Sequence, residues 1–278
     1  MLNALLVRAA ELKRAPLSSD LLRQSAVALV FDQPSTRTRV SFEVGIAELG
    51  GHPMVLRSDE LQLSRGESIR DTAYVLSRHV AAICIRTGAD ELVSEFARHA
   101  TVPVINMLTP GHHPCQALAD LLTLREEFGT LPGRKLAYVG DGNNVARSLA
   151  ILGGMAAIEV HIASPRGYAL AEPPPGAILL EDPRDAVSGA DAVYTDVWLS
   201  MNDDPALAEQ RRRALTPYRL SDDLLSLAAP HAIAMHCLPA HPGEEITSEV
   251  LYGPRQRIWV QAENRRHVQK ALLEHLVG

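Results

Sequence analysis

Lysine is nearly missing from this sequence: three occur, Lys13, Lys135 and Lys270, within 27 Lys and Arg residues. Arginine therefore carries the positive charge, scattered along the chain, and the formal net charge is -6. No basic run able to track a phosphate backbone is present, so nucleic acid is not an expected partner. Cysteine is equally scarce. Cys84, Cys115 and Cys237 are too far apart for metal-site spacing. No metal or cofactor is expected, and free thiols in a reducing compartment are the simplest reading. No apolar run approaches the ~20 residues that span a bilayer. The N-terminus shows no signal peptide with a cleavage site. A membrane is thus not an expected partner, and the cytoplasm is the default location. Low complexity is confined to Pro173-Pro174-Pro175.

What is present is apolar in the right rhythm. With 278 residues and 46% hydrophobic content, the length favours two domains. Strands are expected at 25–31, 53–56, 81–86 and 103–106, alternating with helices at 39–49, 69–78, 90–99 and 115–128. A helix over Leu2–Lys13 precedes them. Leu131-Pro132-Gly133 reads as a hinge. A second series follows, with strands at 135–139, 158–163, 191–195, 232–237 and 257–260, and an apolar run at 177–180 after the proline-rich stretch. Its helices fall at 145 onward, 183–188, 205–215, 221–228, 244–251 and 262–276. The pattern predicts an α/β protein of two domains, each a parallel sheet flanked by helices, joined by a hinge and by the C-terminal helix. The expected boundaries are 1–130 plus 262–278, and 131–261.

The chemistry gathers where strands end. Ser35-Thr36-Arg37-Thr38-Arg39 lies between the strand at 25–31 and the next helix. A helix N-terminus has unpaired N–H groups and a positive dipole end, so an anion fits there. Hydroxyls at 35, 36 and 38 can donate to phosphate oxygens, and arginine forks match phosphate geometry. The competing reading is an ordinary Ser/Thr cap with solvated arginines; three hydroxyls and two arginines in five residues favour the anion site. Arg86 ends the strand at 81–86, and His113-Pro114-Cys115-Gln116 follows the strand at 103–106. In parallel sheets ligands collect at these carboxyl ends. His-Pro alone reads equally well as a loop.

In the second series, Gly140-Asp141-Gly142-Asn143-Asn144 follows a strand. Gly-x-Gly suggests a dinucleotide fold, but Val145 occupies the third glycine's place, and the next strand runs into Ala163-Ser164-Pro165 without an acidic residue. An NAD-dependent enzyme is therefore disfavoured, and Asn143 and Asn144 suit a zwitterionic small molecule. Asp196, just past a strand, reads either as a helix cap or as a substrate-binding carboxylate. His236-Cys237-Leu238-Pro239 ends another strand.

Pro34-Ser35-Thr36-Arg37-Thr38-Arg39 followed by Ser41-Phe42-Glu43, with the His-Pro-x-Gln segment, Asp196-x-x-x-Ser200-Met201 and His-Cys-Leu-Pro, resembles the aspartate/ornithine carbamoyltransferase family. His-Cys-Leu-Pro, and Gln62 where the aspartate branch has lysine, point to the ornithine branch. The resemblance runs from about residue 5 to 277. It implies transfer of the carbamoyl group of carbamoyl phosphate to the δ-amine of L-ornithine, giving citrulline and phosphate without a cofactor. Ser35, Thr36, Arg37 and Thr38 are then expected to bind phosphate. Arg86, His113 and Gln116 would bind the carbamoyl end, joined by Arg265. Gln62 would reach a neighbouring subunit's site, which implies a homotrimer with shared active sites. Asn144, Asp196, Ser200 and Met201 would hold the amino acid end of ornithine, with Cys237 and Leu238 near its δ-amine. Cys237 is as well read as a structural thiol as a catalytic one.

Two departures from the family stand out. Asn202 follows Met201 where glycine is usual, and the 164–181 segment is short, with little room for its usual helix. Alternatives that keep part of the reading are transfer to another amine such as putrescine, and a non-catalytic relative that only binds ligand.

Overall fold

A computed structural model describes every residue except 201 and 202, and leaves the side chain of residue 64 undescribed. Contacts divide the chain into two compact units, Met1–Leu122 with Glu263–Gly278, and Thr123–Ala262. Both are α/β with wholly parallel sheets.

The first unit contains α1 (Leu2–Arg14), β1 (Ala26–Phe31), α2 (Thr36–Glu48), β2 (His52–Arg57), α3 (Ile69–Leu76), β3 (Ala82–Arg86), α4 (Asp90–His99), β4 (Val104–Leu108) and the start of α5 (Pro114–Phe128). The sheet order is β2-β1-β3-β4. β1 is buried on both faces, which is why it reads as an unbroken apolar run. Val27, Leu29 and Phe31 pack with Phe42 and Ile46 of α2, whereas Ala28 and Val30 pack with Ala73 of α3 and Phe96 of α4. The strand order reverses between β1 and β3, where Phe31 stands beside Arg86. That reversal opens a crevice at the strands' carboxyl ends.

The second unit continues with β5 (Lys135–Val139), α6 (Asn144–Met155), β6 (Glu159–Ala163), β7 (Ala177–Leu180), α7 (Pro183–Val187), β8 (Ala192–Thr195), α8 (Ala208–Leu215), α9 (Asp222–Leu225), β9 (Ile233–His236), α10 (Ser248–Leu251) and α11 (Ile258–Val277), whose later part belongs to the first unit. Its order is β7-β6-β5-β8-β9, reversing between β5 and β8. Val139, Val193 and Ala234 pack with Tyr218, Leu220, Leu225, Ile246 and Val250. The proline-rich stretch forms turns before β7, and no helix lies between 164 and 176 among the described residues.

Four expectations are corrected, one being the helix expected over 221–228, which covers only Asp222–Leu225. α2 starts at Thr36 rather than 39, because Ser35 caps it by accepting from the Thr38 N–H. The helix expected over 244–251 shrinks to Ser248–Leu251. Residues 257–260 are the first turn of α11, not a strand. Only Ile258 there is fully buried, while Trp259 and Val260 are substantially exposed, and the Gln256 side chain accepts from the Ile258 N–H. Strand-like pairing stops at one bridge, Gln256 beside Ala234.

α11 is fixed to the first unit by charge. Lys270 is wholly buried, and its ammonium donates to Glu48 Oε2 at 2.5 Å and to the Pro16 carbonyl at 3.0 Å. Arg8 grips Glu274 through two hydrogen bonds of 2.6 and 3.0 Å. An ion pair this buried is costly to break from one side, by about 3–5 kcal/mol.

Candidate active site

In the first unit the residues meet at the β1–β3 reversal. The N-terminus of α2 carries Ser35, Thr36, Arg37 and Thr38 in cap and first turn. Ser35 is half-buried, and Thr38 is completely buried. Arg37 makes no hydrogen bond or ion pair among the described residues, so its fork is uncommitted. Arg39, grouped with it above, instead pairs with Glu43 at 3.0 Å on the exposed side of α2.

A buried network stands behind this turn. Arg265 of α11 donates from Nη2 to Thr38 Oγ1 at 2.8 Å and from Nη1 to Gln116 Oε1 at 2.9 Å. Gln116 passes the contact on, donating from Nε2 to Asp120 Oδ1 at 2.9 Å. Arg86 Nη1 approaches Thr38 Oγ1 from the other side at 3.4 Å. Thr38, Arg86, Gln116 and Arg265 are thus brought together. His113 joins them: burial, then Arg265 and Arg86, push it well below the usual imidazole range, against a backbone hydrogen bond with Met107. It is a neutral ring beside two guanidiniums. Gln62 is not part of this cluster; it is exposed at the start of a short 3-10 turn, Gln62–Arg65.

Asp120 was missed by sequence reasoning, although an acid within Ala117-Leu118-Ala119-Asp120-Leu121-Leu122 is a signal, since a buried carboxylate requires partners. Asp32 was also missed. It accepts from the Ser58 hydroxyl at 3.0 Å, the Thr87 hydroxyl at 3.3 Å and the Gly88 N–H at 3.4 Å, tying together the ends of β1, β2 and β3.

In the second unit, Asp196 follows β8 and Cys237 follows β9, and both are buried. The Cys237 thiol donates to Asp196 Oδ1 at 2.7 Å, and Asn143 Nδ2 donates to Asp196 Oδ2 at 2.7 Å. Asp196 is therefore no helix cap. The cap here is Asn143, whose Oδ1 accepts from the Val145 and Ala146 N–H groups at the start of α6. Asn144 is the first residue of α6, half-buried. Ser200 is exposed, and its N–H donates to Asp203 Oδ2 at 2.6 Å. Met201, with Asn202, lies outside the described residues.

Leu238 holds a φ of +63°. Its N–H donates to His236 Nδ1 at 2.9 Å, and His236 Nε2 bonds Glu245 Oε1 at 3.1 Å, both side chains being fully buried. Asp196, His236 and Cys237 have ligand-type atoms within 4.8 Å of one another. Both imidazole nitrogens are nevertheless engaged, so this trio is a hydrogen-bonded support for the loop rather than an open donor set. No helix of the described residues is long and apolar enough to cross a membrane.

Residues 1–126 match the model of the aspartate/ornithine carbamoyltransferase carbamoyl-P binding domain, and residues 132–276 match that of the Asp/Orn binding domain. The ornithine carbamoyltransferase of Acidothermus cellulolyticus is 53% identical over 290 residues, covering 99% of this chain and 92% of that one. The anabolic ornithine carbamoyltransferase of Pyrococcus furiosus is 49% identical over 273 residues, 93% of this chain and 85% of its own. Among solved structures, ornithine carbamoyltransferase from Pyrococcus furiosus superposes with a TM-score of 0.94 at 45% identity, covering 100% and 93% of the two chains. The Thermus thermophilus enzyme gives 0.92 at 43% identity, covering 100% and 94%.

Proposed function

The chain belongs to the aspartate/ornithine carbamoyltransferase family, and from that premise we propose that it transfers the carbamoyl group of carbamoyl phosphate to the δ-amine of L-ornithine, forming citrulline and phosphate. The observation that carries the reading is the convergence of Arg86 and Arg265 on the Thr38 hydroxyl, at a helix N-terminus where Arg37 makes no hydrogen bond or ion pair among the described residues. This arrangement suits a dianionic phosphate with a polar carbonyl attached.

Ser35, Thr36, Arg37 and Thr38 take the phosphate. Arg86, His113, Gln116 and Arg265 take the carbamoyl end. As the amine attacks, charge grows on the carbonyl oxygen, and fixed donors held by a buried network need no reorganisation to meet it; one such donor is typically worth ~3 kcal/mol. His113 acts as a neutral hydrogen-bonding group, since protonating it between two arginines is unfavourable. Asp120 holds the Gln116 amide in one orientation.

Asn144, Asp196, Ser200 and Met201 receive the amino acid end of ornithine, and Cys237 with the Leu238 carbonyl attends the δ-amine. A thiol that donates to Asp196 keeps its sulfur lone pairs for accepting from the amine. The C–N bond forms, the C–O bond to phosphate breaks, and the proton shed by nitrogen leaves with phosphate or solvent. Holding the two substrates in line supplies much of the remaining rate.

Gln62, exposed and apart from its own cluster, completes a neighbouring subunit's site, so the working form is a homotrimer in the cytoplasm. The deciding experiment is citrulline formation from carbamoyl phosphate and ornithine, with putrescine and N-acetylornithine in parallel. Saturable citrulline production, lost in Arg37→Ala, supports the reading. Turnover with another amine only would move the substrate, and ligand binding without turnover would make the chain a non-catalytic relative.

A further inference from the structure

We propose that Arg211 is a positioning residue for the amino acid half of the site, holding the turn that carries Asn143 and Asn144 in fixed relation to the backbone that carries Ser200. The inference rests on the ornithine reading of that half-site.

Arg211 projects from α8, and its side chain retains 16% exposure. Nη2 donates to Asp141 Oδ2 at 2.7 Å, in the turn between β5 and α6. The same nitrogen lies 3.5 Å from Asp203 Oδ2. Nε donates to the Trp198 carbonyl at 3.0 Å, and the guanidinium carbon stands 5.0 Å from the centre of the Tyr168 ring. One cation thus touches three separate stretches of chain. The Asp141 stretch leads directly to Asn143 and Asn144. Asp203 accepts from the Ser200 N–H, and Trp198 lies two residues beyond Asp196. Tyr168 belongs to the shortened stretch before β7, whose backbone takes the Gly142 N–H at 2.7 Å.

The residue type matters. A planar fork can serve two carboxylates and a carbonyl while its face stacks on a ring; an ammonium is a point charge with no face to stack. The two acids repel each other, and burial drives Asp141 up to about 6 while Arg211 opposes the rise. Without the guanidinium both carboxylates would turn towards water and take their backbones with them. Tyr138, buried beneath the turn, donates to Asn143 at 3.3 Å, and Asn143 in turn donates to Asp196 at 2.7 Å, so the near end of the 196–200 stretch is already tied to the turn and Arg211 adds the tie at its far end, through Trp198 and Asp203.

The test is steady-state kinetics on the full chain, comparing wild type with Arg211→Met and Arg211→Lys, alongside thermal unfolding. Arg211→Met is expected to raise the ornithine KM at least tenfold while the carbamoyl phosphate KM stays within twofold. Arg211→Lys, which keeps the charge and the fold, is expected to raise the ornithine KM about fivefold with an unchanged Tm. An unchanged ornithine KM in either folded variant, or both KM values rising together with a lowered Tm, overturns the inference. Wild-type protein that forms no citrulline overturns the ornithine reading instead, before any variant is compared.

Discussion

Arg265 Nη2 lies 2.8 Å from Thr38 Oγ1, although 227 positions separate the two residues. The hydroxyl at the head of α2 is thereby oriented by a side chain from α11, and the same guanidinium fixes Gln116. Arg265→Ala is expected to lower kcat about 100-fold, since it removes one fixed donor worth ~3 kcal/mol. Lysine at this position reaches one acceptor rather than two and should recover only part of the loss. Turnover at saturating concentrations of both substrates checks this.

Arg37→Ala should weaken carbamoyl phosphate more than ornithine. Hydrogen bonds to charged groups contribute about 1.5–3 kcal/mol, so its dissociation constant should rise roughly 10- to 100-fold. Stability should hardly move, because Arg37 makes no hydrogen bond or ion pair among the described residues. Calorimetric titration with carbamoyl phosphate or inorganic phosphate, paired with thermal unfolding, gives both readings.

Asp196→Asn is nearly isosteric, yet it costs a hydrogen bond in either orientation. If its oxygen accepts from Cys237, its amide faces the Asn143 amide; if flipped, its amide faces the thiol. An ornithine KM at least tenfold higher is expected, with carbamoyl phosphate binding intact. Cys237→Ser keeps a donor towards Asp196 and should retain more activity than Cys237→Ala. Equal losses in the two cysteine variants would show that the donor is irrelevant.

His267 makes stability depend on acid. Its side chain is wholly buried, and burial, then Arg266 and Lys270, lowers it to about 4, with Glu263 opposing. Below about 6.5 the unfolded chain takes a proton that the native chain refuses. Native stability therefore falls as pH drops from there towards 4, by about 1.4 kcal/mol per pH unit from this group. Asp141, raised to about 6, has the opposite sign: the native chain binds its proton first, and acidification from about 6 favours the fold. His267→Gln removes only the first contribution, so the variant should gain on wild type as pH falls from 6.5 to 4.5. Urea unfolding at three pH values measures the difference.

Much of the fold was legible because parallel strands buried on both faces are continuous apolar runs; 26–31, 82–86 and 135–139 stand out for that reason. Ile258-Trp259-Val260 misled because three adjacent apolar residues carry no period, and the packing of Ile258 alone decides for helix. The stretch Ser35–Thr38 was readable as an anion site from residue type and place. Its supporting partners were not. Arg265 declares itself only through contacts with distant residues, and Arg211 sits in a run of three arginines that have nothing in sequence to tell them apart. Asn143 was read as a substrate amide, whereas the fold spends both ends of it, one on the cap of α6 and the other on Asp196.

Arg265 has a temporal consequence as well. Chains emerge from the ribosome in order, and domains fold as they appear. Strands β1 to β4 and the head of α2 are all made before position 110, yet the guanidinium that completes their network is made at position 265. A nascent chain can therefore assemble the first sheet early and still be chemically incompetent. With the site as proposed, carbamoyl phosphate meets a finished network only after α11 has emerged and docked through Lys270 and Glu274, and synthesis itself delays turnover until then.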